Sequence, residues 1–289
     1  MQAERLFDLI MDLGEGPLWD ERTDTLHWVD INAGTIWSHD FRSGTTTHFD
    51  TGETVGMCCL DQQGGMVAAL QHDIVRFSGG TRTVLASAET DLPDNRFNDG
   101  KCDAHGRLLA GTMDTKNRQD MGAFYSLTEG QPLETIAAGI TCSNGVGWSV
   151  NNKMLYYVDT PSGHLWGFDY DLKTGQAVNR RPLIDYTGEE GVFDGLCVDS
   201  EGMIWAAHWG GHCVSRWDPL TGRKLSEITV PALFVTSCCF GGPGLETLFI
   251  TSARGSEKDR AGYPLAGSLF AVRPGVSGLP MHRFGRKGE

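Results

Sequence analysis

Short apolar runs of strand length recur along the chain at nearly regular intervals. Each run is about four residues long and is rich in aliphatic and aromatic side chains, as expected of strands buried on one or both faces. Successive runs start about 40 to 50 residues apart. Six can be traced, and they begin at Leu26, Met66, Leu108, Leu155, Ile204 and Leu248. The pattern predicts six similar strand-containing units.

A polar turn comes just before most of these runs, and a second alternating run follows. The turns, at 61–64, 103–106, 151–153 and 199–202, are rich in Asp, Asn and Gly, which tolerate the tight backbone of a hairpin. The following runs, for example 34–40, 163–169 and 213–219, alternate with a period of two and end at a glycine-containing turn. Because this period is typical of strands, the units are predicted to consist of antiparallel hairpins.

The repeated units predict an all-β fold, a six-bladed β-propeller with four-stranded blades around a central channel. A β-sandwich is the alternative, but its strands do not recur in units this long and this regular. No linker or low-complexity segment divides the chain, so we expect a single domain over residues 1–289. The tail after about residue 278, which contains Arg283, Arg286 and Lys287, is expected to be loose.

Composition agrees with this fold, and charge narrows the choice of partners. Gly (38 residues) and Trp (8 residues) are abundant, as in chains with many short strands and tight turns. The formal net charge is −13 and no basic run occurs, so no nucleic acid is expected, because phosphate binding needs clustered Lys and Arg. No segment approaches the roughly 20 apolar residues of a membrane span, so no membrane is expected either.

The N-terminus and the cysteines predict the compartment. The first ten residues contain acidic side chains and no long apolar run, so they do not resemble a signal peptide. The eight cysteines include the adjacent pairs Cys58-Cys59 and Cys238-Cys239, and no CxxC motif occurs. We therefore expect buried, reduced thiols rather than disulfides, and a cytoplasmic protein.

Four short polar motifs occupy equivalent positions in different units. They present Glu15, Asn98 with Asp99, Asn144 and Asp194, each beside glycine, in segments expected to be loops that enter the core strands at one mouth of the channel. We therefore expect them to meet at the axis. Carboxylate and amide oxygens suit Ca²⁺, Mg²⁺, Mn²⁺ or another divalent ion, with open positions for water and substrate. Asp99 would then serve proton transfer or substrate hydroxyls.

Other readings of single residues remain open. Asn-Gly and Asp-Gly pairs are common in hairpin turns, and Glu15 could cap a turn. His208 and His212 have the spacing of a helical zinc pair, but their segment has a strand pattern, so no zinc is expected there. Asp30 and Asp159 are predicted to cap the ends of strands. The chain has no GxSxG, GxGxxG or Walker motif, so neither Ser-His-Asp catalysis nor a nucleotide cofactor is expected.

The same motifs, in order over almost the whole chain, resemble those of the SMP-30/gluconolactonase/LRE-like family, which includes regucalcin and bacterial sugar lactonases. The resemblance is carried by Gly14-Glu15-Gly16-Pro17, Arg96-Phe97-Asn98-Asp99-Gly100-Lys101, Ser143-Asn144-Gly145 and Asp194-Gly195. Gly111-Thr112-Met113, Trp209-Gly210-Gly211 and Thr251-Ser252-Ala253-Arg254 are also similar. The chain departs from the family at Phe97, where the family usually has proline.

The resemblance implies one divalent ion, whose ligands fall by motif on Glu15, Asn144 and Asp194. The identity of the ion stays open among Ca²⁺, Zn²⁺, Mn²⁺, Mg²⁺ and Fe²⁺, because the same oxygen ligands serve several metals.

The resemblance also implies that Arg96 and Asn98 contact a sugar substrate, with Asp99 beside them. The catalytic carboxylate that takes a proton from water is expected to be Asp194 or Asp99. An acidic residue that some family members place after the Gly-Thr-Met segment has no clear match here, and Asp114 is only a candidate.

These implications together predict a metal-dependent lactonase that hydrolyses a sugar (aldono-) lactone to the aldonic acid in carbohydrate catabolism. The expected partner is the small-molecule lactone, and the protein is expected to be a monomer or a weak homo-oligomer. One alternative is an arylesterase or phosphotriesterase on the same scaffold, which would need an apolar pocket. The other is a non-catalytic calcium-binding propeller.

Overall fold

A computed structural model describes residues 1–285 and shows a chain built almost entirely of β-strands. The strands are β1 (Glu4–Arg5), β2 (Gly14–Asp20), β3 (Thr25–Asp30), β4 (Thr35–Asp40), β5 (Thr45–Asp50), β6 (Met57–Leu60), β7 (Met66–Ala69), β8 (Asp73–Ser78), β9 (Thr81–Ser87), β10 (Asn95–Cys102), β11 (Leu108–Asp114), β12 (Gly122–Leu127), β13 (Glu134–Ile140), β14 (Ser143–Trp148), β15 (Met154–Asp159), β16 (His164–Asp171), β17 (Gln176–Asp185), β18 (Val192–Val198), β19 (Ile204–Trp209), β20 (Cys213–Asp218), β21 (Arg223–Thr229), β22 (Phe234–Gly241), β23 (Thr247–Ala253) and β24 (Phe270–Val272). A short helix, α1 (Glu257–Gly262), and two 3₁₀ turns, Thr160–Ser162 and Pro243–Leu245, complete the described elements.

The strands form antiparallel sheets in groups of four. Four separate sheets have the orders β2-β3-β4-β5, β6-β7-β8-β9, β10-β11-β12-β13 and β14-β15-β16-β17. The remaining strands form an eight-stranded sheet made of β18 to β21 and of β22, β23, β24 and β1. A single residue pair, Trp209 with Phe234, joins these two halves. The predicted all-β class and four-stranded units are therefore confirmed.

The first strands of the groups lie side by side in a closed ring. β2 contacts β6, β6 contacts β10, and the contacts continue through β14, β18 and β22, which returns to β2. The N-terminal strand β1 pairs with β24, with Glu4 opposite Ala271, so the first and last of the described strands lie in one group. This arrangement is that of a β-propeller, in which radial repetition leaves only short strand edges exposed.

Burial decreases from the first two strands of a group to the last. β3 and β7 are almost wholly buried, because a sheet packs against each of their faces. β5 has the pattern Thr-Thr-Thr-His-Phe-Asp and is mostly exposed. The apolar runs found in the sequence therefore mark the second strand of each group, and not the first strand that belongs to the ring.

The polar turns before the second strands contain fully buried aspartates. Their carboxylates accept hydrogen bonds from amides of their own turns, for example Asp103 Oδ1 from the amides of His105 and Arg107, both at 2.9 Å. Each carboxylate also pairs with an arginine, which compensates its charge. The pairs are Asp61–Arg76, Asp103–Arg107 and Asp199–Arg216.

The described part of the C-terminal tail is packed, in contrast to the expected looseness. Phe284 is fully buried, and its amide donates to the carbonyl of Leu60. Arg283 forms an ion pair with Asp20. The buried phenyl ring of Phe284 and the ion pair of Arg283 with Asp20 fix residues 279–285 on the propeller. Arg286 and Lys287 lie outside the described residues.

Candidate active site

The predicted site residues lie within first strands, at irregularities of the strand pairing. The pairing register shifts between Glu15 and Leu18 in β2, and between Phe97 and Gly100 in β10. Equivalent shifts follow Asn144 in β14 and enclose Asp194 in β18. A bulge inserts an extra residue into one strand and redirects its side chains. The expectation that these motifs form loops is therefore wrong, because the bulges turn polar side chains aside without ending the strand.

Glycines that follow the polar site residues allow neighbouring strands to approach closely. A Cβ atom at Gly145 would lie 2.7 Å from the carbonyl oxygen of Asp194, and one at Gly100 would lie 2.5 Å from the carbonyl oxygen of Leu109. A Cβ atom at Gly195 would collide with the side chain of Ser237. These distances are too short for any larger residue without movement of its neighbours. Gly145 and Gly195 therefore set how closely neighbouring first strands approach, and Gly100 sets the approach of β10 to β11.

Each of the three carboxylates accepts a hydrogen bond from the glycine that follows it. Glu15 accepts from the amide of Gly16 at 2.5 Å, and Asp99 accepts from the amide of Gly100 at 2.7 Å. Asp194 accepts from the amide of Gly195. Since a hydrogen bond from the adjacent amide restrains a short side chain, the bulges hold all three carboxylates in defined orientations.

A chain of hydrogen bonds connects Arg96 with the two site amides, Asn98 and Asn144, and extends across three sheets. Arg96 Nη1 donates to Asn98 Oδ1 at 2.6 Å, and Asn98 Nδ2 donates to Asn144 Oδ1 at 2.9 Å. Asn144 Nδ2 then donates to Thr160 Oγ1 at 2.8 Å, whose hydroxyl donates to the carbonyl of Phe193 at 2.9 Å. The chain fixes the orientation of both amides, so that Asn144 presents its oxygen to Asn98 and its amino group to Thr160.

The three buried carboxyl groups lie close enough to influence one another. Burial, together with the charge of Asp99, raises the pKa of Glu15 to about 8. Burial raises the pKa of Asp99, and burial followed by the charges of Glu15 and Asp99 raises the pKa of Asp194 well above its usual value. The charges of Arg96 and Lys101 oppose these shifts only in part. The protein alone therefore does not stabilise all three groups as carboxylates.

The donor chemistry of this site fits a divalent cation. Among the residues that the structure describes, no three His, Cys, Asp or Glu side chains form a group able to hold a metal ion. The predicted set is of a different kind, because it combines two carboxylates, Glu15 and Asp194, with the amide oxygen of Asn144. A bound cation would favour the ionised carboxylates that burial disfavours. Asp99 Oδ2 is buried and, within residues 1–285, has no hydrogen-bond partner.

Three residues that sequence reasoning did not select also belong to this site. Cys142 Sγ lies 3.5 Å from Asn144 Nδ2, and burial together with the charge of Asp194 raises the pKa of its thiol to about 12. Lys101 donates to the carbonyl of Leu196 and lies within electrostatic range of Glu15. Cys142 adjoins one polar motif and Lys101 ends another, so their positions in the sequence could have indicated that they belong to the site. No comparable signal in the sequence points to Thr160.

The structure assigns framework roles to several secondary candidates. His208 is fully buried, and its ring nitrogens contact Ser215 Oγ at 2.6 Å and the carbonyl of Glu190 at 3.0 Å, so it does not line the site. Asp30 accepts from the amides of Asp12 and Leu13, as predicted for a strand cap.

Asp159 and Asp114 hold neighbouring turns in the same way. Asp159 accepts from the amides of Thr141 and Cys142, which agrees with the predicted cap. Asp114 accepts from the amide of Lys116 and pairs with Arg118, so it acts as a turn residue.

Phe97, at the position where proline was expected, is fully buried and packs against Tyr125. Its backbone pairs with Thr112 in the sheet, so the segment around it is a strand and not a rigid turn. The departure from the family pattern therefore leaves the polar positions on either side of Phe97 in place.

Over residues 1–285, none of the helices is long and apolar enough to cross a membrane.

Comparison with known proteins agrees with these observations. The model of the SMP-30/gluconolactonase/LRE-like region matches residues 13–254. Regucalcin from Xenopus laevis is 35% identical over 277 residues, which cover 92% of this chain and 93% of that protein. Two solved structures superpose over 98% of this chain. They are a luciferin-regenerating enzyme (TM-score 0.93, 27% identity, 99% of that chain) and a calcium-binding protein, regucalcin, from Agrobacterium tumefaciens (TM-score 0.92, 29% identity, 97% of that chain). The chain belongs to the SMP-30/gluconolactonase/LRE-like family.

Proposed function

We propose that this protein is a metal-dependent lactonase that hydrolyses a sugar (aldono-) lactone to the aldonic acid. The observation that carries the proposal is the convergence of Glu15, Asn144 and Asp194 beside the hydrogen-bonded pair Arg96 and Asn98. These residues combine oxygen donors suited to a divalent ion with donors suited to a polyhydroxy substrate. Membership of a family whose description includes gluconolactonase supports the same reaction.

The proposal includes six blades. It is supported by the six first strands that close into one ring and by the half-sheets of the eight-stranded sheet, which share a single residue pair. A common axis lets side chains from β2, β10, β14 and β18 share one site.

In this mechanism the chain's own residues position the lactone and move one proton. Glu15, Asn144 and Asp194 would hold the ion, which when bound supplies Lewis-acid polarisation of the lactone. Arg96 uses Nη1 to hold Asn98 and the carbonyl of Phe97, and its other N–H groups can donate to ring hydroxyls.

Asp99 is the better placed of the two candidate bases. Its Oδ1 is held by Gly100, and its Oδ2 is the buried oxygen without a partner in the described chain, able to accept a proton from water. Asp194, in contrast, would be engaged as a ligand. The two residues can be separated by substitution, as described below.

The second candidate function is calcium binding without catalysis. It is favoured by the relatives named regucalcin, one of which is described as a calcium-binding protein. The arylesterase or phosphotriesterase alternative has less support, because Arg96, Asn98 and the carboxylates make the walls of the site polar. The eight free cysteines support the proposed cytoplasmic location, since thiols persist in reducing compartments.

Proton release from a panel of aldonolactones tests the proposal. Metal-stripped protein would be assayed alone and with added Ca²⁺, Mn²⁺, Zn²⁺, Mg²⁺ or Fe²⁺. We expect hydrolysis above background for at least one lactone, and only with a suitable ion. Tight Ca²⁺ binding without acceleration of any lactone would contradict the lactonase and support the calcium-binding alternative.

A further inference from the structure

A cavity lies at the other end of the first strands from the candidate active site. The site residues belong to the starts of the first strands, whereas this cavity is lined by their ends. It receives residues from all six first strands: Leu18, Cys58 to Leu60, Gly100 to Cys102, Val146 to Trp148, Cys197 with Val198, and Phe240. Its volume is about 220 Å³. The lining contains none of Glu15, Asn144 and Asp194, although Lys101 lines the cavity and also lies within electrostatic range of Glu15.

The wall of this cavity is mostly apolar and contains several thiols, and its polar members are Lys101, Ser149, Asn152 and His282. Leu18, Leu60 and Val146 contribute aliphatic surface, and Trp148 and Phe240 contribute aromatic surface. Sulfur atoms pack favourably against aromatic rings, which gives such a wall an affinity for ring compounds beyond its apolar area. The lining includes no Asp or Glu, so the wall offers nothing to compensate a cationic ligand.

The C-terminal segment forms the rim. Residues 279–282 line the cavity, and the segment is fixed just beyond them by the buried ring of Phe284 and the ion pair of Arg283 with Asp20. Val150, half exposed, lies at the same opening. The cavity is thus a preformed space with a defined entrance.

We propose that this cavity is a second binding site, which takes an uncharged ring compound of one or two rings. A cavity of about 150 Å³ with an apolar lining is large enough for benzene, so a space of this volume accommodates a single substituted ring or a fused pair. The mostly apolar wall disfavours a polyhydroxy lactone, because most of the lining side chains cannot replace the hydrogen bonds that its hydroxyls make to water. Lys101, which lines the cavity and carries a positive charge, disfavours cationic compounds.

Titration of the protein with a fluorinated ring compound, observed by ¹⁹F NMR, tests this site. The probe is 4-fluorobenzyl alcohol, and the control is 4-fluorobenzylamine, a cation of similar size and shape. We expect saturable binding of the alcohol, and binding of the amine that is weaker by about tenfold or more, which corresponds to about 1.4 kcal/mol. Absence of saturable binding of the alcohol up to about 5 mM would overturn the proposal, because that concentration lies well above the dissociation constant expected for a buried single ring. Equal affinity for both probes would also contradict it.

Val150→Trp and Val178→Trp form a matched pair of variants. Both valines are about half exposed, at 51% and 50%, but only Val150 lines the cavity. We expect Val150→Trp to weaken binding of the alcohol by about tenfold or more, and Val178→Trp to leave it within about twofold. Leu279→Trp, which fills the cavity from the C-terminal segment, serves as a second obstruction if Val150→Trp disturbs folding. Unchanged affinity in a folded obstructed variant would place the probe elsewhere and overturn the proposal.

The outcome does not depend on the lactonase proposal, because the probe is not a lactone. Lactone hydrolysis by Val150→Trp is expected to equal that of the unmodified protein, since the variant does not touch the site at the other end of the channel. Loss of hydrolysis together with loss of probe binding would show that the two ends form one site, which contradicts the proposal.

Discussion

The two ends of the central channel are built from the same six first strands but differ in chemistry. At the strand starts, bulges direct Glu15, Asp99 and Asp194 into the channel. At the strand ends the pairing is regular again, for example Leu18 with His27, and apolar side chains and thiols enclose a cavity. The position of a residue along its first strand therefore determines whether it belongs to the polar site or to the apolar cavity.

The comparison also shows what buried charge requires of a fold. The apolar end is stable by packing alone, because removal of apolar surface from water is favourable. The polar end is held by adjacent glycine amides and by a hydrogen-bond chain from Arg96 through Asn98 to Asn144, and the proposed cation would favour its three neighbouring carboxylates in their charged form. The bulges and glycines allow a single strand to place polar side chains at its start and apolar side chains at its end.

Removal of a proposed ligand should have the largest effect on the polar end. For Asp194→Ala and Glu15→Gln we expect kcat/KM on the best lactone to fall by about 10³-fold or more, with the fold retained. Metal affinity, measured by calorimetry, should fall in parallel. In metal-stripped protein the midpoint of thermal unfolding should stay equal or rise, because a repelling carboxylate has been removed.

Asp8→Asn is the control for these variants, since it removes one negative charge from a side chain that is 90% exposed. Full activity of either ligand variant would exclude the assigned site.

Substitution of Asp99 separates the candidate base from the ligands. Asp99→Asn should lower kcat by about 10²- to 10⁴-fold while changing metal affinity little, because the amide keeps the shape but accepts no proton. Pre-steady-state or steady-state rates, together with metal titration, distinguish this result from that of Asp194→Ala. A large loss of metal affinity in Asp99→Asn would make Asp99 a ligand instead.

A methyl group at Gly195, between the first strands β18 and β22, should test the role of the glycines. Gly195→Ala introduces a Cβ atom that collides with Ser237, so we expect the free energy of unfolding to fall by about 2–3 kcal/mol. Chemical denaturation measures this change. Gly188→Ala is the control, since a Cβ atom there meets no atom within 4 Å. Recovery of stability in Gly195→Ala with Ser237→Gly would confirm the collision, and no recovery would reject it.

The smallest effect is expected at the apolar end, from the pH dependence of His27, which pairs with Leu18. Burial lowers the pKa of His27 to about 4 from an ordinary value of 6.5. The unfolded chain therefore binds the proton first, and stability is lost as the pH falls from about 6.5 toward 4. The loss should be about 1 kcal/mol at pH 6, and His27→Gln should remove it. Identical pH profiles of unfolding for both proteins would show that His27 does not contribute.

Most of the β-architecture could be predicted from the sequence, since strand period and turn chemistry are local properties. The runs starting at Leu26 and Leu155 fall within β3 and β15, and the aspartate turn at 103–106 precedes β11 as expected. The first strands were harder to recognise. Polar residues such as Asn98 and Asp99 interrupt their alternation, so a segment that is structurally a strand has the composition of a loop.

The sequence by itself determined the repeated four-stranded units and the polar residues placed at matching points within them. Only the tertiary structure decided that these residues lie at bulges, that one chain of hydrogen bonds links Arg96, Asn98 and Asn144, and that an apolar cavity occupies the other end of the same strands. The physical reason is the range of the interactions. Strand period and turn formation depend on neighbours in the sequence, whereas hydrogen bonds across sheets, coupled carboxyl groups and the shape of a channel depend on strands that are far apart in the sequence and adjacent only after folding.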